Sequence, residues 1–169
     1  MGVTHPKTSP FPNNAARPNQ IGGDDWNAAH STPPGYEYDY AQKATDTGIT
    51  MTSEATAATI VTGASVTYDG ATIILIEFYA AAVQLASDVV FYTWLYDGSS
   101  SIGMMGQAYS NGAATQSVFR AARRLTPSAA AHTYSFRASV ASGTQTILAG
   151  AGGVGVWMPT FMRITRVSP

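Results

Sequence analysis

The stretch ATIILIEFYAAAV, residues 71 to 83, carries a single charge, Glu77, in an otherwise uncharged run. Alternate residues of a β-strand point to opposite faces of the sheet. Large apolar side chains therefore occupy both faces, with Ile74, Ile76 and Phe78 on one and Ile73, Leu75 and Tyr79 on the other. One face of each sheet in an antiparallel sandwich can face water. A strand that is apolar on both faces predicts a second burial partner.

A second strand shows the same pattern. In residues 89 to 96, Phe91 and Leu95 occupy one face of the predicted strand, and Tyr92, Trp94 and Tyr96 occupy the other. A further subunit is the simplest cover for such surface, because burial of about 500 Å² would contribute on the order of 10 kcal/mol before association costs. We predict an obligate oligomer whose interface contains Ile73, Leu75, Tyr79, Tyr92, Trp94 and Tyr96.

The remaining sequence after residue 56 reads as short strands separated by Gly, Ser, Asp and Asn turns. The predicted strands cover residues 57–62, 65–68, 71–83, 88–96, 102–110, 117–125, 132–140, 144–148 and 157–167. In residues 132 to 140, apolar and polar side chains alternate, which predicts one core face and one water-facing side. Without a convincing amphipathic helix, this pattern predicts an all-β protein built as an antiparallel β-sandwich over residues 56–169.

Composition limits the classes of function. Charged residues are 11% of the chain, well below the usual ~25%, which favours burial against protein partners. A net charge of −1 argues against nucleic acid or an anionic membrane as a partner. The chain has no cysteine, no apolar run long enough to cross a bilayer and no signal-peptide pattern. All ten acids lie at or before Asp97 and six of nine basic residues at or after Arg120, which indicates either strand pairing between the halves or head-to-tail contact of copies.

The first 55 residues are predicted to form an extended arm. Six of the nine prolines fall within residues 1–34, where they oppose helix and ladder pairing. GDDWNAAH, residues 23 to 30, holds the arm's one helical signal, with an aspartate as N-cap and Trp26 as an apolar anchor. Tyrosines at every second position from 36 to 40 indicate either a docking segment or an edge strand of the chain's own sandwich. We predict that the anchor consists of Asp24, Asp25, Trp26, Asn27, His30, Tyr36, Tyr38 and Tyr40.

Catalytic and metal-binding patterns are weak. Asp24, Asp25 and His30 do not share one helix face, so capping and docking are favoured over a zinc site. No serine stands in a Gly-x-Ser-x-Gly elbow, and Asp69 and Asp97 belong to Asp-Gly turns. The glycine-rich residues 149–155 precede a strand and lack a phosphate-loop lysine. We expect no enzyme activity, no metal and no cofactor.

Several short motifs resemble small structural proteins of tailed bacteriophages. THP at residues 4–6 and DDWNAAH at 24–30 are similar to their "HP … DWNxxH" arm, and VTYDGAT at 66–72 with IEFY at 76–79 is similar to the start of their C-terminal domain. Further matching positions are LTPSA at 125–129, HTY at 132–134, AGAGG at 149–153, Pro159, Phe161, Arg163 and Ile164. Ala80 to Ala82 depart from the family, which often has a proline there.

The resemblance implies a jelly roll of the tumour-necrosis-factor type that assembles as a homotrimer. It further implies a non-enzymatic capsid decoration protein on the outer surface of the phage head, held through its arm by the major capsid protein or another virion protein. The alternative is a tail or head fibre knob that recognises host cell-surface glycan. In that case Tyr92, Trp94, Tyr96, Tyr109 and Trp157 could stack on sugar rings.

Overall fold

The computed structural model describes residues 34–167 of the chain. Twelve β-strands lie in this part: β1 Glu37–Lys43, β2 Thr47–Ile49, β3 Ala58–Thr62, β4 Val66–Thr67, β5 Ile74–Leu85, β6 Val90–Asp97, β7 Ser100–Tyr109, β8 Thr115–Leu125, β9 Ala131–His132, β10 Tyr134–Val140, β11 Gln145–Leu148 and β12 Thr160–Arg166. The strands pair only in antiparallel fashion within this part. The predicted all-β, antiparallel β-sandwich is confirmed.

Two main sheets form the layers of the sandwich. The larger has the order β1-β12-β5-β11-β2, with β8 also paired to β5, and the smaller has the order β3-β10-β6-β7. β4 and β9 form a separate two-stranded ladder. Strand β5 is long enough to pair with β12 through its first half and with β11 through its second half.

The core lies between the two sheets. Ile74, Ile76 and Phe78 of β5 point inward and are at most 1% exposed, as their spacing predicts. From the opposite sheet, Phe136 stacks on Phe78 with ring centroids 3.7 Å apart and an interplanar angle of 2°. Residues of both sheets meet in this layer because period-2 alternation places every second apolar side chain on the inner face.

The boundary between arm and sandwich lies earlier than the predicted residue 55. The compact unit that contains the sandwich begins at Pro34. β1 is an edge strand that pairs with β12, and β2 pairs with β11. Tyr38 and Tyr40 therefore belong to a strand of the chain's own sandwich, and Tyr36 directly precedes it, which is the second of the two predicted alternatives. The predicted short helix at residues 23–30 lies outside the described residues.

The outer face of the smaller sheet differs from the prediction for residues 132–140. Ser135 and Ser139 were expected to face water, yet they are 3% and 1% exposed. Trp94 Nε1 donates a hydrogen bond to Ser139 Oγ at 3.0 Å, and the Arg137 guanidinium lies 3.9 Å from the centre of the Tyr96 ring. Long side chains of the same sheet thus cover the two serines, which an alternation pattern alone does not reveal.

Candidate functional site

An aromatic ladder crosses the outer face of the larger sheet. Tyr40 stacks on Phe161 at 5.4 Å, and Phe161 stacks on Tyr79 at 5.3 Å, so three neighbouring strands each contribute one ring. The Arg120 guanidinium lies 4.9 Å from the centre of the Tyr79 ring and extends the ladder to β8. The rings of Phe161 and Tyr79 are therefore covered by neighbouring side chains of the ladder. Tyr40, at the sheet edge, is 45% exposed.

Charged groups of both signs flank this ladder. Arg163 Nε donates a hydrogen bond to Glu37 Oε2 at 2.9 Å, and Glu77 lies opposite Arg163 in the β5–β12 register. The acids come from the first half of the chain and Arg163 from the second, so strand pairing accounts for part of the uneven charge distribution. A groove of about 430 Å³ results, lined by Glu37, Tyr40, Glu77, Tyr79, Arg120, Met158, Phe161 and Arg163.

The loop between β11 and β12 displays apolar side chains next to this groove. Val154 is fully exposed, and Val156, Trp157 and Met158 are 51%, 44% and 56% exposed. The loop folds back on itself, since Gly152 N donates to Trp157 O at 2.9 Å. Gly150 is required here, because a Cβ at this position would lie 2.6 Å from Val156 Cγ1 and 2.7 Å from the Trp157 carbonyl oxygen. We call residues 149–159 the apolar loop.

The residues predicted for the oligomer interface divide between the two outer faces. Leu75 and Tyr79 lie partly buried on the outer face of the larger sheet, and Ile73 directly precedes β5. Tyr92 and Trp94 lie partly buried on the outer face of the smaller sheet, whereas Tyr96 is 3% exposed and its hydroxyl donates to the Glu54 carbonyl oxygen. The six residues do not form one patch.

The residues predicted for the anchor fall into two groups. Asp24, Asp25, Trp26, Asn27 and His30 lie outside the described residues. Tyr36, Tyr38 and Tyr40 belong to the start of the sandwich, where Tyr38 packs against Tyr68 at 5.2 Å and against Tyr36 at 5.3 Å. Tyr36, which directly precedes β1, and Tyr40 of β1 are each 45% exposed, so this segment both packs against the core and presents rings at the sheet edge.

Three polar side chains that the sequence analysis did not connect form a hydrogen-bonded chain. Ser128 Oγ lies 3.0 Å from His132 Nε2, and His132 Nδ1 lies 2.5 Å from Asp97 Oδ2. Asp97 Oδ1 also accepts a hydrogen bond from Thr133 N at 3.3 Å. Asp97 ends β6, Ser128 lies between β8 and β9, and His132 ends β9. No sequence motif could have revealed this arrangement, because only the fold brings the three segments together.

Two tyrosines enclose the imidazole of this chain. The Tyr134 ring is nearly parallel to it, at 5.9 Å and 5°, and the Tyr68 ring lies 5.9 Å away. Burial, with the Asp97 charge as a second cause, raises the pKa of Tyr134 to about 12. Burial also raises the pKa of Tyr68 well above its usual value, and its hydroxyl lacks a hydrogen-bond partner in the described part of the chain. Both phenols are therefore neutral at physiological pH.

Within residues 34–167, no three His, Cys, Asp or Glu side chains come together in a metal-binding group. In the same residues, no helix has the length and apolar character needed to cross a membrane.

No family model and no curated protein matches the chain. Solved structures similar to it include the C-terminal CBM6 of LamC, a marine laminarinase from Zobellia galactanivorans, with a TM-score of 0.35, 15% identity, and coverage of 77% of this chain and 90% of that one. A structure of the infectious bursal disease virus Gt strain has a TM-score of 0.41, 14% identity, and coverage of 95% and 43%. A mutant VP2 protein of the same virus has a TM-score of 0.42, 13% identity, and coverage of 99% and 44%. The chain spans less than half the length of these two viral chains.

Proposed function

We propose that this protein is a structural component of a bacteriophage virion, a homotrimeric decoration protein on the outer surface of the head. The apolar loop is the observation that carries the proposal. Val154, Val156, Trp157 and Met158 are exposed apolar side chains within five residues of one loop, and Met158 also lines the neighbouring groove. Exposed apolar surface of this kind marks a contact with another macromolecule.

A second copy of the chain is the proposed occupant of this surface. The groove beside the loop contains both carboxylates and guanidinium groups, and the chain as a whole is nearly neutral. A second copy can therefore bind in the groove without strong charge repulsion. The low overall charge of the chain also favours extensive burial between subunits. The motifs that resemble phage structural proteins motivate the trimer.

Residues 1–33 are the proposed anchor to the particle. The compact unit that contains the sandwich begins at Pro34, so removal of the preceding residues leaves every described strand intact. Trp26 is the side chain best suited to fix the arm, because a buried tryptophan can contribute strongly at a single point of contact.

The test compares the full chain with a variant that lacks residues 1–33. We expect both proteins to have the mass of a trimer in solution, and only the full chain to join particles that lack the protein. Trp26→Ala should weaken attachment by a few kcal/mol, with no change in the melting temperature. A monomeric full chain at micromolar concentration would refute the trimer. Normal particle binding by the truncated variant would refute the anchor, and cryo-electron microscopy that places the protein only on the tail would refute the head location.

Glycan recognition is a second candidate, and the groove is the feature that favours it. Its exposed Tyr40 ring lies beside Glu37 and Arg163, and carbohydrate sites combine an aromatic surface with groups that bond to hydroxyls. The five aromatics proposed from the sequence are less suitable, since Tyr96 is buried and Trp157 lies in a loop of the other sheet. A glycan array with the wild type and Tyr40→Ala tests this candidate. Binding that Tyr40→Ala abolishes would support it, and an array without any bound glycan would exclude it.

A further inference from the structure

We infer that Ser128, His132 and Asp97 form a nucleophilic site that cleaves short-chain carboxylic esters. The hydroxyl, the imidazole and the carboxylate are joined in series by contacts of 3.0 Å and 2.5 Å. A nucleophile within hydrogen-bond reach of a base, with the base oriented by a third group, is the arrangement that activates serine for acyl transfer. The inference is independent of the proposed place of the protein in a virion.

The carboxylate is fixed in the orientation that such a site requires. Asp97 Oδ1 accepts from Thr133 N, which leaves Oδ2 directed at His132 Nδ1. A carboxylate oxygen only accepts hydrogen bonds, so the Nδ1 atom carries a proton and Nε2 of the neutral ring is free to accept the Ser128 proton. Asp97 acts as a positioning residue, since it contacts the base and does not contact the nucleophile.

The surroundings of Nε2 suit both protonation states of the imidazole. In the neutral state Nε2 accepts from Ser128 Oγ at 3.0 Å. Once protonated, it can donate to the Ser128 carbonyl oxygen, which lies 3.2 Å away. The imidazolium would then have Asp97 on one side and this carbonyl on the other. Stabilisation of the charged ring lowers the barrier for removal of the serine proton.

Access and polarity indicate the substrate class. Ser128 is exposed, and the alanines that follow it, Ala129 and Ala130, are short and exposed as well. His132 retains 13% exposure of its side chain, and its Nε2 atom lies 3.0 Å from the hydroxyl of the exposed Ser128. The nearest residues along the chain carry no charge. A neutral ester with a small acyl group, such as an acetyl ester, fits this surface.

The proposed reaction has two steps, acylation of Ser128 and hydrolysis of the acyl-serine. Ser128 Oγ forms a bond to the ester carbonyl carbon, and its proton passes to His132 Nε2. As the carbon–oxygen bond to the alcohol breaks, His132 returns the proton to the leaving oxygen, which gives an acyl-serine and a free alcohol. Water then attacks the acyl-serine with the same proton transfers and releases the carboxylic acid. No oxidant, metal or further co-reactant is consumed.

The experiment uses the purified full chain with a fluorophosphonate probe, followed by peptide mass spectrometry, and 4-nitrophenyl acetate as a second substrate. The probe forms a bond between phosphorus and an activated serine oxygen with loss of fluoride. We expect labelling of Ser128 in the wild type and no labelling at this peptide in Ser128→Ala. The matched control is Ser53→Ala, because Ser53 is also exposed but bonds to the Thr56 hydroxyl and not to a histidine. This control should be labelled and should hydrolyse the ester as the wild type does.

Asp97→Asn distinguishes a catalytic chain from a purely structural one. The amide oxygen can still accept from Thr133 N, but the amide nitrogen donates to Nδ1 and moves the ring proton to Nε2, which can no longer act as a base. We expect labelling and ester hydrolysis to fall by about 100-fold or more, with a melting temperature close to that of the wild type. A wild type that is not labelled at Ser128, or an Asp97→Asn variant that is folded and labelled at the wild-type rate, would overturn the inference.

Discussion

Replacement of Trp157 by alanine should weaken the association of the chain with itself. Trp157 is 44% exposed in the isolated chain, which leaves about 110 Å² of a ~250 Å² side chain available for burial. At about 25 cal/mol per Å², full coverage of this area contributes about 2–3 kcal/mol to each subunit contact. The substitution should therefore weaken each contact by roughly 100-fold.

Sedimentation velocity over a range of protein concentrations measures this effect directly. The matched control is Met104→Ala, because Met104 is 48% exposed but lies on β7 in the smaller sheet. We expect the wild type and Met104→Ala to dissociate over the same concentration range, and Trp157→Ala to dissociate at a much higher concentration. The melting temperature of the monomer should not change, since Trp157 lies outside the buried core.

Two results would refute this reasoning. If Trp157→Ala and the wild type dissociate at the same concentration, the apolar loop is not part of the interface. If instead Met104→Ala weakens association by a similar factor, the contact is spread over both sheets, and exposed apolar area on one loop does not identify it.

Three further measurements test the core packing, the turn at Asp69 and the apolar loop. Phe136→Ala removes a fully buried ring that stacks on Phe78, so we expect a loss of about 3–5 kcal/mol in the free energy of unfolding, measured by urea denaturation; a loss below 1 kcal/mol would contradict this packing. Hydrogen bonds from the Thr72 hydroxyl and from backbone N–H groups lower the pKa of Asp69 from 3.8 to about 2. The small, solvent-screened stabilisation that the ionised Asp69 contributes is therefore present above about pH 4 and is lost as the pH falls through 2. Carboxyl NMR titration should give this pKa, and an ordinary value would refute the turn geometry. Gly150→Ala places a methyl group against the Trp157 carbonyl and should weaken self-association as measured by sedimentation, whereas Gly48→Ala, with its nearest contact at 4.0 Å, should not; equal behaviour of the two variants would contradict the argument.

The sandwich could be predicted from the sequence because its central strands follow the period-2 rule without interruption. Residues 74–85 and 90–97 form long strands, and Phe78 and Phe91 point inward as their spacing requires. Edge strands are harder to predict. The partner of Tyr40 in the sheet is Arg163, more than a hundred residues later, and no local pattern encodes that pairing. The sequence pattern therefore places the boundary between arm and sandwich too far along the chain.

Side chains that reach across a sheet face also escape a pattern-based prediction. Ser139 alternates with apolar residues and would face water if its neighbours were short. It is buried because Trp94, on the adjacent strand, bonds to it. The Asp97–His132 contact was missed for a related reason, since Asp97 fits an Asp-Gly turn and its second role depends on the position of β9. Single-position patterns assign one role to each residue, whereas a fold can use both oxygens of one carboxylate.

The two outer faces of the sandwich differ in what they offer to another subunit. On the smaller sheet, Trp94 and Arg137 already make contacts within the chain, and Tyr96 is buried beneath Arg137. This sheet also exposes Met104 and Tyr109, which lie at separate positions on β7. On the larger sheet, Tyr40 and the apolar loop stay exposed beside a groove. In a closed ring of three identical chains, each interface joins two different surfaces of the subunit. The apolar loop exposes four apolar side chains within five residues, so we expect this loop and its groove to contribute most of the apolar burial.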